Sequence, residues 1–317
     1  MPAALQINLA PPDLQIAAHL TPHQIEAFQD QVSEIVLTVE TRPGRGYFAA
    51  GWNENVQPLH DLLKEFCRSY PKCRVVEIDY TQRARQDVAN NFFGGIIPPL
   101  KDFRGGPLYS YFYGMFRTST DYILHLDSDM FIGGHHPNWI KEAIRILESR
   151  DDVLACSPVP GPPTRDGHLR FAAMKENPDA RIYEFDNFST RVFFVDRRKF
   201  ASLPIRLGRP DFKGCLTSII DGNPLAELPE TAITRLMQHN KLKRVDFGEI
   251  WSLHPLYKGR KFISQLPVLI QRIKNEDVPE SQRGFYDIVD DFFDLSEARA
   301  KLASQRRWRR LAARFIP

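Results

Sequence analysis

The chain of 317 residues lacks several features that would set it apart from an ordinary globular enzyme. It has only four cysteines, and no two of them form a C-x-x-C pair, so a zinc site of that type is not expected. Scattered thiols in a long chain are typical of a reducing compartment. No stretch approaches the roughly 20 apolar residues of a membrane helix, and no N-terminal run resembles a signal peptide. These absences predict a soluble cytoplasmic protein.

An excess of one charge is also nearly absent, since 42 Lys and Arg against 39 Asp and Glu leave a net charge of +3. A net charge this small gives no reason to expect a nucleic-acid partner. Most of the surplus lies between residues 299 and 314, in a helix-prone tail. The residues on one face of that helix are Trp308, Leu311, Ala312 and Phe315. A basic amphipathic helix of this kind either docks on the protein or makes a peripheral contact with an anionic inner membrane surface, and both interpretations stay open.

Hydrophobic periodicity predicts an α/β fold without internal repeats. Strands at Glu34–Val39 and 74–78 flank a helix at 57–70, which is the arrangement of a parallel crossover. Residues 1–30 are interpreted as a peripheral N-terminal lead-in and 83–102 as a surface loop. Further strands are expected at 122–126, 153–157, 188–195 and 243–247, and further helices at 105–117, 138–149, 197–203 and 230–240.

The motif with most chemical content is Asp127-Ser128-Asp129, directly after the apolar stretch 122–126. Open α/β sheets bind ligands at the carboxyl ends of their strands, so both acids are expected at such an edge. Mg²⁺ usually takes one or two carboxylates together with substrate phosphates. The tripeptide alone also occurs in solvated turns. The apolar stretch before it and the pair Gly133-Gly134 after it favour a functional site.

The order of motifs resembles nucleotide-sugar glycosyltransferases of the GT-A fold, in particular the large inverting family 2 group. The resemblance rests on the first strand, a second strand followed by Asp79, the Arg104-Gly105-Gly106 turn before a helix, and the Asp-Ser-Asp strand. Residues 190–198 look like the strand and basic turn on the acceptor side of such enzymes. Pro229-Glu230 looks like the segment where the family usually has Glu-Asp opening a helix, but Thr231 replaces the second acid.

This resemblance covers residues 33–260 and implies a GT-A domain at 31–262, with a C-terminal helical extension at 263–317 that carries the basic tail. The implied fold is a Rossmann-like, mixed and mainly parallel sheet flanked by helices. The implied cofactor is Mn²⁺ or Mg²⁺, held against the donor diphosphate by Asp127 and Asp129. His254 is the candidate third ligand, and His135 and His136 rank below it.

Donor contacts follow from the same resemblance. Asp79 would bind the edge of a uracil or guanine base, although a strand-end cap is an equal alternative. Thr38 and Glu40, at the end of the first strand, would lie beside the nucleoside, with Asp127 and Ser128. Arg104 and Gly105 would bind phosphate at a helix N-terminus, unless they form a plain turn.

The remaining roles concern the reaction and the acceptor. Glu230 is the candidate general base, because inversion needs a carboxylate to remove the acceptor proton. Its alternative role is to stabilise the first turn of a helix, and Glu227 is the reserve. Lys258 would close over the diphosphate as part of a basic flap, unless it belongs to a solvated face. Trp251 would offer a flat surface to the acceptor sugar.

Together these features predict an inverting, metal-dependent glycosyltransferase. It would move a sugar from a UDP- or GDP-sugar to a hydroxyl of a glycan, a lipid-linked molecule or a small acceptor. A second hypothesis is a catalytically silent scaffold that binds nucleotide sugars or glycans, which the missing acid at Thr231 supports. A third is a nucleotidyltransferase, for which Arg42-Pro-Gly-Arg-Gly46 is a partial match to the usual glycine-rich loop.

Overall fold

The computed structural model describes residues 1–45, 51–170, 173–255, 258–297, 299–300 and 303. Within these ranges ten strands form one sheet. In chain order they are β1 (Ala3–Leu9), β2 (Glu34–Val39), β3 (Cys73–Glu77), β4 (Tyr122–Asp127), β5 (Phe131–Gly133), β6 (Val153–Pro160), β7 (Lys175–Asn177), β8 (Ile182–Phe185), β9 (Val192–Asp196) and β10 (Lys243–Leu253).

The strand order across the sheet is β3-β2-β1-β4-β9-β6-β10-β8-β7, and β5 pairs with β10. Strands β3, β2, β1 and β4 are parallel to one another, and β6 is parallel to β10. Strand β9 lies antiparallel between β4 and β6, and β8 and β5 also run against β10. The sheet is therefore mixed and mainly parallel, which confirms the predicted fold class.

Helices cover both faces of this sheet. They are α1 (Leu14–Phe28), α2 (Trp52–Ser69), α3 (Gln82–Phe92), α4 (Tyr109–Phe116), α5 (Trp139–Ser149), α6 (Arg197–Ser202), α7 (Phe212–Asp221), α8 (Pro229–His239) and α9 (Arg260–Lys274). Side chains alternate between two apolar layers along each strand. Leu37 packs in the layer that contains α1, α2 and α5, whereas Val36 packs in the layer that contains α3, α4, α6 and α8.

The prediction that residues 1–30 form a peripheral lead-in is wrong. Strand β1 is buried along its whole length and pairs with both β2 and β4 near the middle of the sheet. Because the polar residues Gln6 and Asn8 interrupt the apolar pattern, this strand was not predicted. Gln6 is completely buried, and its amide bonds to Thr38 Oγ1 at 3.3 Å and to His125 Nδ1 at 3.1 Å.

Two further segments differ from expectation. Residues 83–102 were expected to form a loop, but most of the first half is helix α3, which Thr81 caps by accepting from the Ala84 amide. Only four residues of α3 are buried, so its apolar pattern is weak. At the other end, the expected boundary between residues 262 and 263 falls inside α9. Leu266 and Leu269 of α9 pack in one cluster with Ile16 and Leu20 of α1.

The proposed membrane-binding face of Trp308, Leu311, Ala312 and Phe315 lies outside the residues that the structure describes. Among those that it does describe, no helix is both long enough and apolar enough to cross a bilayer.

The central position of β1 has a measurable consequence for stability. Ile7→Ala removes a completely buried side chain and should lower the free energy of unfolding by about 2–5 kcal/mol. Ile220→Ala is the control, because Ile220 is 80% exposed and its truncation should change stability by no more than about 0.5 kcal/mol. Urea denaturation measures both, and equal small losses would contradict the burial of β1.

Candidate functional site

The parallel strands bring their carboxyl ends to one edge of the sheet, and the candidate site lies there. Strand β4 ends at Asp127, which lies opposite Asn8 of β1 in register. Strand β2 is followed at this edge by Glu40, and β10 is followed by His254. The placement agrees with the general rule that open α/β sheets bind ligands beyond the carboxyl ends of their strands.

Asp127 contacts a tyrosine hydroxyl and a histidine ring. The Tyr111 hydroxyl donates to Asp127 Oδ1 at 2.8 Å, and His125 Nε2 lies 3.4 Å from the same oxygen. Burial, together with the negative charge of Asp127, holds the pKa of Tyr111 well above its ordinary value. Tyr111 therefore stays a hydrogen-bond donor at neutral pH, and it fixes one oxygen of Asp127 while the carboxylate remains partly exposed.

Asp129 has a different environment, because cations surround it. Its side chain is only 11% exposed, and Lys258 Nζ forms an ion pair with Oδ2. Burial alone would raise the pKa of Asp129, but Lys258, His254 and Arg191 lower it below its ordinary value. The other oxygen, Oδ1, is buried and has no hydrogen-bond partner among the described residues. Asp129 is thus an ionised, buried carboxylate with one unused oxygen.

Asp13 is a third acid of this cluster that the sequence analysis missed. It follows β1 in a short 3-10 turn, Pro11–Asp13, and the Ala10 amide donates to its Oδ2 at 2.9 Å. Burial raises the pKa of Asp13 to about 6, and Asp129 adds to that rise, while Lys258 and Ser128 oppose it. Ser128 is therefore directed toward Asp13 rather than free to contact a nucleotide. The only sequence signal was an acid directly after Pro11-Pro12.

The predicted metal ligands are not assembled into a coordination site. Over the part of the chain that the structure describes, no three His, Cys, Asp or Glu side chains are placed to hold a metal ion. Lys258 already uses Asp129 Oδ2, and His254 Nδ1 lies 3.1 Å from Asp287 Oδ1. The donor set as arranged does not fit a divalent cation, although Asp129 Oδ1 remains free.

His135 and His136, the lower-ranked candidates, do not supply the missing metal ligand. His136 Nε2 lies 3.4 Å from a carboxylate oxygen of Glu142 at the start of α5, and His135 is exposed.

Two residues predicted to contact the nucleoside, Thr38 and Glu40, instead bond to other side chains of the protein. Thr38 is completely buried and accepts a hydrogen bond from Gln6, so direct contact with a nucleotide is ruled out in this conformation. Glu40 Oε2 forms a buried ion pair with Lys101 Nζ at 2.6 Å. Asp79, in contrast, is exposed just beyond β3, and one of its oxygens accepts from the Thr81 amide at 2.8 Å. Of these three, Asp79 is the best placed for a ligand.

The Arg104-Gly105 turn is organised by Asp102. Asp102 Oδ1 accepts from the amides of Arg104 at 2.7 Å and of Gly106 at 2.9 Å. Helix α4 begins only at Tyr109, so Gly105 does not lie at the helix N-terminus as predicted. Gly105 instead has a φ of +79°, a left-handed conformation that favours glycine. The Arg104 side chain is 54% exposed, and its Nη2 lies 3.7 Å from Asp102 Oδ2 in an ion pair.

A cavity of about 270 Å³ lies next to the acid cluster. Arg191 links the two, because it lines the cavity and its charge acts on both Asp127 and Asp129. Burial would lower the pKa of Arg191, but Tyr286 and the two acids raise it, so Arg191 stays charged. Glu230 also lines the cavity, is exposed, and lies 3.5 Å from the Thr190 hydroxyl. Tyr286 was absent from the predicted site, and Arg191 was included only within the acceptor-side segment 190–198, because each comes from a segment remote in sequence from Asp127.

The far wall of the cavity contains a buried ion pair, Arg244 with Asp246. Arg244 donates to the two carboxylate oxygens of Asp246 at 2.8 and 2.9 Å. Burial raises the pKa of Asp246 to about 6 in spite of Arg244, which lowers it. This pair makes the wall polar and charged.

Two other predicted residues have structural roles. Trp251 is 7% exposed, and its ring packs so closely over Gly133 that a β-carbon there would lie 2.2 Å from the ring. Trp251 therefore has no free face for an acceptor sugar. Glu227 is 5% exposed and forms a bidentate ion pair with Arg235, so the reserve candidate for the base is not available.

Comparisons with known proteins give only distant structural likenesses. No protein-family model matches the chain, and no curated protein matches it. A mannosyltransferase from Pyrobaculum calidifontis in complex with GDP-Man and Mn²⁺ is 11% identical, with a TM-score of 0.38 over 66% of this chain and 47% of that one. S. aureus TarS 1–349 is 13% identical, with a TM-score of 0.37 over 73% of this chain and 59% of that one.

A UDP-glucose pyrophosphorylase complexed with UDP-glucose is also similar, at 10% identity and a TM-score of 0.36 over 78% of this chain and 90% of that one. The chain spans about half the length of the mannosyltransferase, at 47%. At these scores and identities the likenesses carry no argument about activity. The fold class rests on the sheet itself.

The ion pair at Asp129 predicts competition between Lys258 and a metal ion. Lys258→Met removes the ammonium group from a buried carboxylate, so the variant should bind Mn²⁺ about tenfold more tightly than the wild type, which corresponds to about 1.4 kcal/mol. Isothermal titration with Mn²⁺ alone measures this. Lys261→Met is the control, because Lys261 pairs with the exposed Asp294. Equal affinity of the wild type and the Lys258 variant would contradict the competition.

Proposed function

We propose that the protein is a glycosyltransferase that uses a nucleotide-diphosphate sugar as donor. The observation that carries this proposal is the ionised Asp129 beside Lys258 and Arg191, at the ligand-binding edge of the sheet and next to a cavity. Glycosyl transfer from such a donor requires an environment that stabilises the negative charge that builds up on a departing diphosphate. Preorganised cations in a water-poor site supply that stabilisation.

The donor would extend along the edge of the sheet. Lys258 and Arg191 would face the diphosphate, with Arg104 as a further cation on the exposed side of its turn. Asp79 would accept from a base N–H of uracil or guanine, since it is exposed at the end of β3. In this proposal the charge of the leaving group is met by the chain's own cations, and no step passes through a divalent ion.

The acceptor would enter the cavity of about 270 Å³. Glu230 is an exposed carboxylate in the first turn of α8 and lines that cavity. As general base it would remove the proton from the acceptor hydroxyl while that oxygen attacks the anomeric carbon, which inverts the configuration. The acceptor class, whether glycan, lipid-linked molecule or small molecule, is left open by this geometry.

The proposal is tested with a panel of nucleotide sugars. A glycosyltransferase should release UDP or GDP from at least one donor, in the presence or the absence of Mn²⁺. Release of pyrophosphate instead would favour the nucleotidyltransferase hypothesis. Binding of a donor without any turnover, across a range of acceptors, would favour the silent scaffold and contradict catalysis.

The assigned base gives a sharper prediction. Glu230→Gln keeps the shape of the side chain but removes its basicity, so kcat should fall by about 10²–10⁴-fold. The dissociation constant for the nucleotide-sugar donor, measured by calorimetry, should change by less than about twofold, since Glu230 does not face the diphosphate. Glu65→Gln on the exposed side of α2 is the control. Full activity of the Glu230 variant would show that another group acts as the base.

A further inference from the structure

Helix α7 (Phe212–Asp221) has its apolar side chains on the outside. Phe212, Leu216, Ile219 and Ile220 are 81%, 46%, 68% and 80% exposed. At 3.6 residues per turn these positions fall on one face of the helix. A surface helix normally turns such a face toward the core. An exposed apolar face of this size marks an interaction surface.

The inner side of α7 explains this orientation. Its buried residues are Gly214 and Ser218, one turn apart on the opposite side. A β-carbon at Gly214 would lie 2.6 Å from Pro210 and 3.1 Å from the ring of Phe103, so the helix backbone packs directly against the protein. Ser218 donates to the Asn223 carbonyl at 2.7 Å. Only small residues fit this contact, so the helix cannot rotate to bury its large side chains.

The segments that flank α7 line a groove of about 320 Å³, with Arg209 before the helix and Leu225 after it. Its lining includes Phe93, Pro98, Ile205 and Leu207. Two further exposed apolar residues, Ile96 and Leu225, line the same groove and are 61% and 46% exposed. The groove has a size and an apolar character that suit part of an acyl chain.

Cations border this surface. Arg206 and Arg209 line the groove, and Lys213 is exposed on α7 itself. Arg45 donates to the Gly222 carbonyl at 2.8 Å and adds a positive charge at the C-terminal end of the helix. Asp211 is engaged as the N-cap of α7, where it accepts from the Gly214 amide at 2.7 Å. Asp211 and Asp221 are the acids at the two ends of α7, and the four cations outnumber them. The face is thus apolar in the middle and on balance basic at its rim.

We propose that α7 and the adjoining groove form a docking surface for an anionic lipid bilayer. A helix with large apolar side chains on one side and cations beside them binds at the lipid headgroup boundary through apolar burial and charge attraction. The basic rim argues against a second copy as the occupant, because a twofold contact brings the same patch of both chains together and would place rim cations beside rim cations. This proposal is independent of glycosyl transfer.

The surface borders the candidate site. The Phe103 amide donates to the Ala226 carbonyl at 2.8 Å, and Gly105 lies against Asn223, directly after α7. Docking would therefore hold the Arg104 turn near the membrane surface.

The test is sedimentation of the full chain with vesicles. Wild-type protein should bind vesicles of phosphatidylcholine mixed with phosphatidylglycerol, and bind those of phosphatidylcholine alone at least about tenfold more weakly. The double variant Phe212→Ser, Ile220→Ser should lose at least about tenfold in affinity for the anionic vesicles. Arg209→Glu with Lys213→Glu should weaken binding chiefly at low salt.

The matched control is Met174→Ser with Val268→Ser, which removes two apolar residues of 61% and 62% exposure elsewhere on the surface. The control should bind vesicles like the wild type, and circular dichroism should show that all variants are folded. Because the basic tail is present in every variant, unchanged binding of the α7 variants would overturn the proposal. So would absence of binding by the wild type, or a dimer in sedimentation velocity that the Phe212 and Ile220 changes abolish.

Discussion

The arrangement of the site depends on the buried ion pair between Asp129 and Lys258. A carboxylate that is 11% exposed is costly to ionise unless a positive charge lies beside it. Lys258 supplies that charge from the segment between β10 and α9, so the pair connects this segment to the end of β4. Removing either partner would leave an uncompensated charge at the ligand-binding edge. The same pair leaves the predicted metal ligands separated.

A buried polar network fixes the orientation of the other acid, Asp127. Gln6 of β1 bonds to His125, and His125 and Tyr111 both contact Asp127 Oδ1. Buried polar groups of this kind must all be paired, so each one restricts the orientation of its neighbours. The network explains why a central strand contains Gln6. It also gives the two acids different surroundings, since Tyr111 and His125 contact Asp127 whereas Lys258 forms an ion pair with Asp129.

The sequence predicted the elements whose apolar residues are dense and periodic. Strand β2 was placed at its observed limits, and α5 within one residue, because burial dominates their composition. Strand β1 and helix α3 were missed because polar side chains interrupt their patterns. Within the site, the Asp-x-Asp motif was recognised because its two acids are separated by only one residue and follow an apolar stretch. Asp13 was not found, and Arg191 was included only within the acceptor-side segment 190–198, since only the fold brings these two residues to Asp127 and Asp129. Trp251 was misassigned because residue type alone cannot reveal burial.

Helix α7 shows a different limit of sequence patterns. A periodic row of large apolar residues indicates that one face of a helix is hydrophobic. It does not indicate whether that face lies against the core or on the surface. Here the decision is made by Gly214 and Ser218, whose small size permits close backbone packing on the inner side. The large residues are then forced outward, where they lie exposed to solvent. Because stability alone gives no reason to expose four such side chains, their exposure is better explained by an interaction that covers them.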